Sequence, residues 1–238
     1  MISHTLSAFK KPNTLFFCLI GVSIFVDASG FDTFIASKIF NYGNQSWVFK
    51  NTWWAKSLLH DTAKHLITLA LLILLGTGIY QKVVNKKDES ALFLGIAVML
   101  FISAIISLIK SISPFACPWD SLGFGGEIPH INIYDYFNLD DVNYGHCFPG
   151  GHASAGYGIL SFYFAYRNKR PTLSKVSLAI ALILGVTFDI TQQLRGAHFF
   201  SHGLWTLIII LFINLVIFQI LDYRQRVTAT RPKNAPEQ

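Results

Sequence analysis

Three short stretches of this chain hold the residue types that chemistry on an anion requires. "LIKSISPFACPWD" carries Lys110, "HCFPGGHAS" carries His152 behind Gly150 and Gly151, and "FDITQQLRGAHFFSH" carries Asp189, Arg195, His198 and His202. A phosphate ester needs cations and backbone N–H donors around its non-bridging oxygens. Lys110, Arg195 and the Gly150–Gly151 turn into a helix start are suited to that task. The glycines let the backbone approach an anion closely. Reaction then needs a nucleophile in line and an acid for the departing oxygen. Imidazole can serve as either near neutral pH, according to its protonation state. Taken singly, Lys110 reads as a snorkelling side chain and Arg195 as a headgroup contact. Together with the histidines they read as one pocket.

The elements that must position these residues are membrane helices. The chain has 238 residues, 52% hydrophobic and only 13% charged, against about a quarter charged in soluble domains. Apolar runs long enough for a bilayer core occur at about 13–29, 62–81, 91–111, 152–168, 176–194 and 203–221. The expected fold is all-α, a six-helix membrane bundle forming one domain over 1–222, followed by a solvated tail over 223–238. The first run reads as a retained anchor, with a signal peptide cut after "VDA" as the alternative. "SWVFKNTWWAKSLLH" reads as an amphipathic helix on the membrane surface.

Basic residues orient the bundle. Lys10 and Lys11, Lys82, Lys86 and Lys87, the Arg167–Lys175 group, and Arg224, Arg226, Arg231 and Lys233 account for 13 of 19 Lys and Arg. All flank the spans on one side, which the positive-inside rule makes cytoplasmic together with both termini. The opposite, outer side receives seven of the eight histidines, all but His4, and all five tryptophans. The tryptophans read as an interfacial belt; the histidines point to a site on the outer face.

The three stretches resemble the motifs of the type 2 phosphatidic acid phosphatase superfamily, integral lipid phosphatases. That family shows Lys-x6-Arg-Pro, Pro-Ser-Gly-His and Ser-Arg-x5-His-x3-Asp. Here Lys110 precedes Cys117-Pro118 at the first spacing, Pro149-Gly150-Gly151-His152 follows the second, and the Gly196-Ala197-His198 register follows the third. The resemblance covers about 110–206. Cys117 replaces the first arginine, Gly150 the serine, Thr191-Gln192 the Ser-Arg pair and His202 the aspartate. The resemblance implies His198 as nucleophile, forming a phosphohistidine, and His152 as acid and then base. Arg195, three residues before His198, is a near neighbour on a shared helical face and replaces the missing guanidinium. The acceptor holding the second nitrogen of His198 is then His202 or Asp189.

Cys117 and Cys147 fall beside these motifs on the outer side, where an oxidising compartment permits a disulfide; two unrelated thiols are the alternative. The expected activity is removal of phosphate from a lipid phosphate or diphosphate, such as undecaprenyl diphosphate, phosphatidylglycerol phosphate or lipid A, at the outer (periplasmic) face of a bacterial cytoplasmic membrane. No metal, cofactor or nucleic acid is called for; the expected partners are the lipid phosphate and the bilayer. Three alternatives stay open. They are phosphate transfer to a second lipid, a non-catalytic relative that binds lipid phosphate, and a metal site built on His198 and His202 as a helical i, i+4 pair with His146 and His152.

Overall fold

The computed structural model describes residues 2–132, 135 and 145–230, and the side chains of these except 2–13, 15 and 230. Helix α1 (Ile2–Ala28) meets α2 (Phe31–Ile39) in a bend of 66°. Gly30 takes the left-handed conformation at the bend (φ +73°), which a residue without Cβ adopts at little cost. A hairpin of β1 (Phe40–Asn41) and β2 (Ser46–Trp47) follows. A π-helix over Trp54–Thr62 then runs without a break into α3 (Ala63–Val83). Next come α4 (Ser90–Ser111), α5 (Gly151–Tyr157), α6 (Leu160–Tyr166), α7 (Pro171–Leu194) and α8 (Phe200–Thr230). The chain is an all-α polytopic membrane protein. Among the described residues four helices are long and apolar enough to cross a bilayer, and the α1–α2 pair raises the number to five if it is one bent span.

Three expectations change. The surface helix proposed for 46–60 is a strand, a turn and then the first turns of the helix that becomes α3. The run 152–168 is two seven-residue helices and not one continuous helix. Between them the backbone tightens to i→i−3 bonds, Ile159 to Gly156, Ser161 to Gly158 and Phe162 to Ile159, the geometry of a 3₁₀ turn. Helix α8 continues to Thr230, so the segment expected as a tail begins as helix; residues 231–238, with Arg231 and Lys233, lie outside the described residues.

The broken pair α5–α6 is the centre of the molecule. Ala153, Tyr157, Leu160 and Phe164 pack with Ile102 and Ile106 of α4, Ala181 of α7 and Ile210 of α8. A Cβ on Gly156 would lie 2.4 Å from the Gly185 amide nitrogen, and one on Gly185 2.1 Å from the Tyr157 ring. Small residues thus let α5 and α7 approach backbone to backbone, the usual device where helices associate in lipid. Helix α3 does the reverse. Only 6% of its apolar window is buried, and it lines, with α4, α6 and α7, a cavity of about 900 Å³.

Both ends of the bundle carry charge. At one end Arg170 holds Glu89 with two hydrogen bonds (2.8 and 3.0 Å), Lys169 holds Asp88 (2.6 Å) and Arg167 pairs with Asp222. These pairs bring the α3–α4 connection, the α6–α7 connection and α8 together. The three motif stretches meet at the other end.

Candidate active site

His198 is placed by the way α7 ends. The Gly196 amide bonds to the Gln193 carbonyl (2.9 Å) and the Ala197 amide to Gln192 (2.8 Å). This is a Schellman cap, with Gly196 supplying the left-handed residue (φ +76°). A second constraint demands glycine there, because a Cβ would lie 2.2 Å from the Trp47 ring. Trp47 is buried with Phe40, Phe124 and Phe199, so it supports this turn and is no part of an interfacial belt. Trp119 donates its amide to the Gly196 carbonyl (2.9 Å). Directly after this brace come His198 and α8, which carries His202 in its first turn; both rings are buried.

The second motif arrives from the opposite side. Gly150 N–H donates to Thr206 Oγ1 (2.8 Å), and Thr206 Oγ1 donates to the His202 carbonyl (2.6 Å), tying the start of α5 to α8. A Cβ on Gly150 would lie 3.8 Å from His198 Cδ2, whereas one on Gly151 meets nothing within 4 Å. Of the two glycines, Gly150 therefore packs beside His198 with its amide already engaged, and Gly151 borders open space. His152 Nε2 lies 2.9 Å from the His60 carbonyl oxygen.

The disulfide joins Cys117 to Cys147. Backbone bonds from Gly145 to Pro114, His146 to Ser113 and Cys147 to Phe115 zip the two segments together. The bridge brings Cys147 Sγ to 3.5 Å from His198 Nδ1. Cys147, His198 and His202 place sulfur and nitrogen atoms within 4.8 Å of one another. With the sulfur committed to the disulfide, no thiolate is present to bind a metal.

Several expected relations are not found. Arg195 and His198 do not share a helical face, because α7 ends at Leu194 and the Schellman turn lies between them. His198 and His202 are not an i, i+4 helical pair, since α8 begins at Phe200; their rings meet edge to face at 5.7 Å. Asp189 is not the acceptor for His198. Its Oδ2 accepts from Gln193 Nε2 (2.9 Å) and backs onto Gly203, while Oδ1 has no partner among the described residues. The atom near His198 Nδ1 belongs to Cys147, and His202 Nδ1 lacks a partner among the described residues.

Arg195 is held by Gln192 Oε1 (3.0 Å) and the Lys50 carbonyl (3.2 Å). Gln192 stands where the family register expects arginine, so it serves here as the clamp for the displaced guanidinium. Neither Arg195 nor Lys110 forms an ion pair among the described residues. The Lys110 charge acts on His198 and that of Arg195 on His152. Burial holds His198 well below the ordinary imidazole range, with positive charge on Lys110, His202 and His152 acting the same way and a Cys147 backbone hydrogen bond opposing. His198 is therefore neutral with a lone pair available.

His60 was not among the residues singled out. Its ring stacks on His152 with centroids 3.8 Å apart, and its Nδ1 lies 2.8 Å from Asp61 Oδ1. The signal available in the sequence was its place at the end of the aromatic segment on the histidine-rich side. A family model described as the PAP2 superfamily matches residues 91–226, more than half of the chain. No curated protein and no solved structure matches it.

Proposed function

Because the chain belongs to the PAP2 superfamily, a family of phosphatase-type activity on phosphate esters, we propose that it removes phosphate from a membrane lipid through a phosphohistidine on His198. One observation carries this reading. A buried neutral imidazole lies in the field of Lys110, and neither that cation nor Arg195 has a carboxylate partner among the described residues. Such charges favour an anion and stabilise its developing charge in a water-poor site.

Neutral His198 attacks phosphorus, while Lys110, Arg195 and the backbone at Gly151 bind the non-bridging oxygens. His152 gives a proton to the departing oxygen and afterwards takes one from the attacking water. Gly150 contributes its lack of a side chain beside His198, and its amide stays with Thr206. His202 packs the nucleophile edge-on; Asp189 braces α7 against α8.

The apolar cavity supports a lipid substrate. Its lining runs from Leu58 and Leu59, next to His60 in sequence, along α3 to Gly78 and Gln81. A tail can lie there while the headgroup meets the histidines. The positive-inside pattern puts this end on the outer, periplasmic face of a bacterial cytoplasmic membrane, with both termini cytoplasmic. Undecaprenyl diphosphate, phosphatidylglycerol phosphate and lipid A phosphates are the substrates to try.

The test is phosphate release by purified protein in detergent, over those lipids with EDTA present, beside His198→Ala. Release in EDTA, reduced in the variant by about 10³-fold or more, is expected. Equal release by the variant would overturn the role of His198. Phosphate appearing on a second lipid and not in solution would mark transfer in place of hydrolysis, and activity only without EDTA a metal site.

A further inference from the structure

His60 and His152 come from opposite parts of the chain and stack nearly parallel, with 17° between ring planes and 3.8 Å between centroids. Each ring has one nitrogen already assigned. A carbonyl only accepts, so His152 Nε2 carries the hydrogen in its bond to the His60 backbone. Asp61 likewise holds a proton on His60 Nδ1. The exchangeable positions are thus His60 Nε2 and His152 Nδ1.

Two imidazolium rings in this arrangement repel, so the pair takes one extra proton far more readily than two. The charged groups around it are Asp61 and Lys64 from the same helix and Arg195 from the end of α7, and His198, the other titratable group coupled to His152, is held neutral by burial. Asp61 is the one anion of that set, and it is bonded to His60. His60 lies in the π-helical stretch Trp54–Thr62; such local widening often marks functional positions.

We propose that His60 and His152 together form the acid–base group of the site, sharing one exchangeable proton, with Asp61 as the positioning residue for His60. The inference rests on the phosphatase reading above. In the first step the P–N bond to His198 forms, the ester P–O bond breaks, and the pair's proton passes to the leaving oxygen. In the second, a water oxygen bonds to phosphorus, the P–N bond breaks, and the water's proton returns to the pair. His60, about one-third exposed, acts through His152 and exchanges its proton by way of solvent at the rim. With two protons loaded, no base remains for the water.

The test is His60→Ala, which removes the ring but keeps the backbone carbonyl that holds His152, with Asp61→Asn as a milder variant. Expected are a fall in kcat of about tenfold or more and an acid limb of the pH profile displaced to higher pH, because His152 alone has no base left once it takes a single proton. In protein with ¹⁵N-labelled histidine, the His152 signal should titrate in two coupled steps in the parent chain and in one in the variant. A His152 titration and a pH profile both unchanged by His60→Ala would overturn the proposal. The ¹⁵N arm needs no turnover. Coupled titration in a protein that releases phosphate from no lipid would therefore refute the phosphatase reading and leave the shared proton standing.

Discussion

The two ends of this bundle carry the same kinds of cation and treat them oppositely. At the end formed by the 84–89 and 167–170 connections, Arg167, Lys169 and Arg170 each pair with a carboxylate. At the other, Lys110 has no ion pair and Arg195 is held by a glutamine and a carbonyl, among the described residues. Paired charge joins elements and has little attraction left for a ligand. Unpaired charge beside a neutral buried imidazole is costly to maintain and becomes favourable when an anion arrives. Burial sharpens the contrast, since both histidines of the α7–α8 junction are buried whereas the Lys169–Asp88 pair is mostly exposed.

The hardest way to break this comparison is to neutralise the outer end. Lys110→Ala or Arg195→Ala should each lower the rate of phosphate release by about 10²- to 10³-fold with little loss of thermal stability. A fall in Tm that accounted for the lost activity would mean that these cations are structural after all.

The disulfide comes next. Cys117→Ser with Cys147→Ser opens a loop with a sequence separation of 30, which the chain-entropy model values at roughly 3–4 kcal/mol. A lower unfolding midpoint should accompany reduced activity, because Cys147 is packed on His198. Unchanged turnover in the folded variant would show that the bridge holds the loop without supporting the nucleophile.

The mirror experiment at the inner end is Glu89→Gln. Losing the buried carboxylate that holds Arg170 should destabilise the protein by about 2 kcal/mol and leave kcat alone. A matching loss of kcat would erase the division between a structural end and a reactive one.

The smallest effect is a slope. His198 is held below its ordinary value of 6.5, so the unfolded chain binds more protons than the folded one just below that pH. Stability should therefore fall as pH drops below about 6.5, and His198→Gln should flatten the decline in Tm between about pH 5 and pH 7. An identical decline in both proteins would assign the acid sensitivity elsewhere.

Composition and apolar run length were enough to establish a polytopic helical membrane protein, because burying backbone in lipid leaves helices as the solution for runs such as 91–111 and 176–194. The motif residues Lys110, His152 and His198 could be picked out by type and order, and the fold brings them within electrostatic reach of one another. What lay beyond one-dimensional reading was every relation that crosses the fold. Arg195 was expected to share a helical face with His198 and does not, because a Schellman turn, and not a helix, follows it. Asp189 was paired with the wrong residue because nothing local reveals that Gly203 of α8 leaves room for its carboxylate. The run 152–168 has the composition of a span yet breaks at Gly158, where the neighbouring α4 side chain of Met99 comes close. His60 sits 92 residues from His152, and no periodicity of sequence records that distance closing. Local rules act through neighbouring residues; the stacked rings, the cations without ion pairs among the described residues and the apolar groove along α3 exist only once helices pack.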